Sequence, residues 1–310
     1  MNDALVVKSK LFVQNRDILK TEFKWASSNM VPLCAYMYAK KGIKVDAVRI
    51  NECKQIIKKH IGVFSKVKGD AFYPLATALS LENSKEKAFA RRVEVYKKLK
   101  EKFGSAIYMP WIAFAVGDYE KEHNTDIDKL IQRSVELEEM INNEFLDKKE
   151  NKLEGIAVLL ILSGKTNQEI IRDLKIAYEF LCDTKISKEA IPALSYMLAA
   201  GTGEIEDSCE KALSSYEIFL KSQCKFEKEA ETAVLGLLAN SKQKQEEYIK
   251  DVIDVNEFLA EQKGFDIINV SSHERHMYAG LLAAQDSSAV EEQIAVLIAM
   301  ESALNVAIFD

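Results

Sequence analysis

Residues 166–201, TNQEIIRDLKIAYEFLCDTKISKEAIPALSYMLAAG, decide the fold, because they read as two helices in succession. Ile170, Ile171, Leu174, Ala177, Tyr178 and Leu181 recur at helical spacing and fall on one face. Thr166 with Glu169 has the spacing of a capping box in front of them. A short polar link leads to Pro192, which suits the first turn of a helix, where the missing N–H is not needed. The second helix is rich in Ala and Leu and stops at Gly201.

The same two-part pattern recurs along the chain. Second-helix segments are VPLCAYMYAKKG, YPLATALSL, MPWIAFAVG, GIAVLLILSG, IPALSYMLAAG, AVLGLLANS and YAGLLAAQD, with first helices such as VYKKLKEKF, AYEFL, SYEIFL and VNEFL. Pro32, Pro74, Pro110 and Pro192 precede or open four of these cores, at separations of 42, 36 and 82 residues, a period of about 40. Small residues in the second helices permit close helix approach and suit the inner layer of a stacked array. The expected fold is all-α, with about seven antiparallel hairpins stacked as an α/α superhelix and a long helix from Ser288 to the end. Gly104 and Gly164 read as helix stops, and Ser271 with Glu274 and Ser288 with Glu291 as helix starts. Phe265–Val270, FDIINV, reads as an extended linker.

The chain has 310 residues, 48% hydrophobic and 29% charged, with only 12 Gly and 4 Pro. Collagen-like, disordered and all-β sandwich classes are excluded on that composition. A single helical-repeat domain over 1–310 is expected, with a basic part at 1–117, an acidic part at 127–310 and a soft joint in the polar stretch 118–126. The N-terminus has no uninterrupted apolar core and no segment reaches the roughly 20 residues of a membrane span, so a cytoplasmic protein is expected. Five cysteines, odd in number and without a C-x-x-C pair, read as reduced packing residues.

Residues Ile56–Leu81, IIKKHIGVFSKVKGDAFYPLATALSL, followed by VYKKLKEKFGSAIYMPWIAFAV and AVLGLLA, resemble a bacterial family catalogued as domain of unknown function four thousand and three. The part that carries the resemblance best is Ile57, Lys58, Lys59, Gly62, Phe64, Ser65, Lys68 and Gly69. Where an arginine is usual before the last glycine this chain has Lys68, which weakens any bidentate anion contact. The resemblance implies a cytoplasmic bacterial protein and supplies no activity.

Charge is polarised. Residues 1–104 hold 22 Lys or Arg against 10 Asp or Glu, a net of +12, and the remainder holds 20 against 38, a net of −18, so the overall −6 is a near-cancellation. Lys58, Lys59, Lys66 and Lys68 around a glycine-bounded turn, with Arg91 and Arg92 on a following helix, are the candidates for contact with an acidic or phosphate-bearing partner. A solvated helix face accounts for the same residues without a partner. Opposite ends of two copies also match in charge, which would give a ring or a filament.

Catalytic signals are sparse. G-x-S-x-G, the P-loop and the dinucleotide fingerprint are missing, and no cofactor is called for. His273 and His276, three apart, are weak candidates for two metal ligands at a helix start, but H-E-R-H lacks the protease spacing and shows no third ligand. Glu120 and His123 form a lone E-x-x-H, whereas a di-iron bundle needs two. Trp25 and most other aromatics fall at packing positions, with Trp111 as the expected exception that lines a groove. The leading expectation is therefore a non-catalytic interaction or scaffold protein with another protein as partner and no membrane role. An enzyme with a helical-toroid site and a nucleic-acid binder acting through the basic third are the alternatives. The oligomeric state is not legible.

Overall fold

A computed structural model describes residues 1–27, 29–60, 69–104, 106–145, 155–265 and 270–309, with residue 69 and residues 305–309 described in backbone only. Among the described residues there are fifteen α-helices, one 3-10 turn at Gly69–Ala71 and no strand. They run α1 Asp3–Glu22, α2 Met30–Lys40, α3 Ala47–Lys59, α4 Phe72–Ser80, α5 Lys85–Phe103, α6 Met109–His123, α7 Ile127–Glu144 and α8 Ile156–Ile161. They continue with α9 Asn167–Cys182, α10 Ile191–Ala200, α11 Ile205–Leu220, α12 Glu229–Ala239, α13 Gln245–Ala260, α14 Ser272–Ala283 and α15 Ala289–Phe309. None of the described helices is long and apolar enough to cross a membrane.

The expected punctuation is present. All four prolines fall within the first three residues of α2, α4, α6 and α10. Gly104 and Gly164 take left-handed backbone at φ 78° and 81°, where a side chain would strain the turn. Ser271 with Glu274 closes a capping box on α14, and Ser288 with Glu291 does the same before α15. Caps that the sequence reading passed over are Asp46, which accepts from the N–H groups of Val48 and Arg49, and Asp126, which accepts from those of Asp128 and Lys129. The linker expected at 265–270 lies outside the described residues except for its two ends.

The chain divides into two compact units, one formed by Met1–Val13 with Gln168–Ser302 and the other by Gln14–Asn167 with Ala303–Asp310. The polar stretch 118–126 is the last part of α6 and the cap of α7, inside the second of these units. There α3 packs on α4, α5 on α6 and α7 on α8, as hairpins, while α2, α4, α6 and α8 pack side by side in that order. In the first unit α11 pairs with α12 and α13 with α14, and α12 lies between α10 and α14.

The two helix types bury differently. In α7 the buried residues Ile127, Leu130, Ile131, Ser134, Leu137 and Ile141 form one stripe, as expected for an outer helix. In α6 every residue from Met109 to Gly117 is buried, and in α12 every residue from Ala230 to Ala239. A helix that is apolar all round has to be covered all round, so these second helices are core. That corrects the expectation for Trp111: it is 4% exposed and belongs to the buried run of α6. Trp25 is reversed in the same way, standing 90% exposed where core packing was expected.

Candidate functional site

The basic residues singled out in the sequence separate by side-chain type. Arg92 is buried, bonds Glu82 and Asp118, and lies 5.2 Å from the ring centre of Phe114. Arg91 bonds Glu120 through Nε at 2.7 Å and Glu94 through Nη1 at 2.8 Å. Arg49 holds the carbonyls of Ser80 and Glu82 just past the end of α4. The planar guanidinium reaches two acceptors at once, which makes Arg92 a buried pin, whereas Arg91 is a 39% exposed side chain already paired with Glu120 and Glu94. Lys58 and Lys59 end α3, are exposed, and form no ion pair among the described residues. Lys66 and Lys68 lie outside the described residues.

The turn before Trp25 is tied to α3 through Lys54. Lys54 of α3 donates to the carbonyl of Glu22 at 2.8 Å and sits 5.5 Å from the ring centre of Phe23, which fixes the turn that carries Trp25 beside α3. Lys58 is one helical turn beyond Lys54 on the same face. Exposed lysines also continue along α5 at Lys87, Lys97, Lys100 and Lys102, whereas Lys98 is held by Asp128 at 2.6 Å.

In the first unit the two histidines gain the partner that their own segment lacks. Glu231, near the start of α12, is 42 positions before His273 and meets it directly, with Nδ1–H of His273 donating to Oε1 at 3.0 Å. The backbone N–H groups of Lys228, at 2.6 Å, and of Glu227 donate to the same oxygen. His276 donates from Nδ1 to the carbonyl of Lys225 at 2.7 Å. One ligand atom from each of Glu231, His273 and His276 lies within 4.8 Å of the others. Burial raises the Glu231 carboxyl, opposed by the two N–H donors and His273, and burial lowers His276, keeping it a neutral imidazole near pH 7. Sequence reading missed Glu231 because the three residues meet only when the starts of α12 and α14 are set side by side. The other candidate pair does not assemble: Glu120 is held by Arg91, and His123 stacks on Tyr119 with ring centres 4.1 Å apart.

These features define a class: an all-α protein of paired helices, with an arginine-pinned basic unit and a Glu–His–His cluster of which Glu231 and His276 are buried and His273 is half-buried. The chain belongs to the family described as a protein of unknown function, DUF4003, whose model matches residues 15–309. Comparisons with curated proteins and with solved structures gave no match.

Proposed function

We propose that the protein is a non-catalytic interaction scaffold in which the stacked helical hairpins present a surface to an acidic protein partner. The observation that carries the reading is Trp25, which is 90% exposed in a unit that also leaves Lys58 and Lys59 exposed at the end of α3. A fully exposed indole loses hydration cheaply on contact and is the side chain most often found as an interface anchor. Exposed lysines such as Lys58 and Lys59 supply steering toward negative charge. The chain as a whole carries a net charge of −6, which favours a short acidic protein segment over a long polyanion.

The test is co-purification from the native cell extract with full-length wild-type protein, Trp25→Ala, and the pair Lys58→Glu with Lys59→Glu. A protein retained by wild type and lost by both variants supports the reading. A retained set that neither variant changes overturns it. Recovery of nucleic acid that releases steeply with salt would instead make the basic unit a nucleic-acid binder.

A further inference from the structure

We propose that Glu231, His273 and His276 bind one divalent transition-metal ion of the zinc class, which clamps the start of α12 to the start of α14. The inference is independent of the lysine and tryptophan surface and uses other residues.

Two imidazoles and a carboxylate are a ligand set suited to zinc and its neighbours, and a poor match for magnesium or calcium, which favour oxygen. The three donors are already gathered within 4.8 Å of one another. Tetrahedral ligands at zinc bond lengths stand about 3.4 Å apart, so a small inward movement completes the set. His273 is the residue free to make it, because its side chain is 37% exposed while Glu231 and His276 are buried.

A second observation points to a ligand. Oε2 of Glu231 and Nε2 of His276 are buried and have no hydrogen-bond partner among the described residues. Both are lone-pair carriers, since Nδ1 of His276 already donates its hydrogen to Lys225. The two side chains are neighbours, with Oε2 3.8 Å from Nδ1 of His276, and unsatisfied acceptors on two buried neighbours are unfavourable unless something electron-poor serves them. The orientation is also fixed from behind: Oε1 is held by the N–H groups of Glu227 and Lys228, and His276 by a backbone carbonyl. Such outer contacts orient ligands in metal centres. The positive ends of α12 and α14 oppose a cation, but that effect is weaker than attraction to a full carboxylate charge at bonding distance.

The experiment uses the full-length protein, stripped with a chelator and titrated with Co2+ and Zn2+. Wild type should take up one equivalent, show the visible absorption of low-coordinate Co2+, and melt at a higher temperature with Zn2+ than without. His273→Ala should keep the metal-free circular dichroism and melting temperature of wild type while binding at least tenfold more weakly. His273→Gln, which keeps a side chain of polar character, repeats the test if the alanine variant is poorly folded. Absence of stoichiometric uptake by wild type, or less than tenfold weakening in a folded variant, overturns the site.

Discussion

Gly236 of α12 lies directly against Met197 of α10: a Cβ placed on it would stand 2.8 Å from Cγ and 2.9 Å from Cβ of that methionine, and 3.2 Å from Leu194 Cδ1. A rotamer change can move Cγ, but Cβ is fixed by the backbone of α10, so the 2.9 Å contact cannot be cleared without moving a helix. Gly236→Ala is therefore expected to push α10 and α12 apart and to destabilise the protein by about 1–3 kcal/mol, although alanine favours a helix. Gly203→Ala is the control: its nearest neighbour would be Ser208 Oγ at 3.6 Å, and its effect should stay within about 0.5 kcal/mol. Urea midpoints of the two variants check the contrast, and equal midpoints would contradict the packing.

Arg92 should behave as a structural residue. Its side chain is 4% exposed and serves Glu82 and Asp118 together. Removing one side of such a buried arrangement leaves uncompensated charge and costs on the order of 3 kcal/mol. Arg92→Ala is expected to lower the urea midpoint strongly, with Arg92→Lys in between, since a point charge cannot reproduce the two-way contact. A surface anion-binding arginine would instead leave stability unchanged.

Asp118 is expected to give the protein a pH dependence opposite to that of most ion-paired carboxylates. Burial is the largest influence and raises it, Arg92 pulls it down, Glu82 pushes it up, and the result is about 6. The unfolded value is about 3.9, so between the two the folded state holds the extra proton. Its contribution is fully present below about pH 4 and is lost as pH rises through 6. The melting temperature of wild type should therefore carry a downward component across that window, and Asp118→Asn should remove it. Parallel pH profiles for the two proteins would exclude Asp118 as its source.

Thiol reactivity should be confined to one position. Burial pushes Cys34, Cys209 and Cys224 up to about 12 and Cys53 to about 11, whereas Cys182 is exposed. Reaction needs the thiolate, which those four groups hardly form at pH 8. An aromatic disulfide reagent should react quickly with one thiol per chain and with five after denaturation, and Cys182→Ser should abolish the fast phase.

Much of the fold is legible in the sequence because its signals are local. A proline in a first turn, a glycine at positive φ, and a capping pair three residues apart each act within one turn of helix, so α10 after Pro192 and the caps at Ser271 and Ser288 stand where they are expected. The contrast between outer and inner helices is legible too, as the one-sided stripe of α7 against the all-round apolar α6. By itself, then, the sequence determined an all-helical chain of paired helices with polarised charge. The tertiary structure decided which surfaces remain: it covered Trp111 and uncovered Trp25, buried Arg92 between Glu82 and Asp118, paired the half-exposed Arg91 with Glu120, and brought Glu231 to His273 across 42 residues. Periodicity fixes which face of a helix is apolar, whereas the partner that covers that face, or accepts a given charge, is set by contacts between segments far apart in the chain.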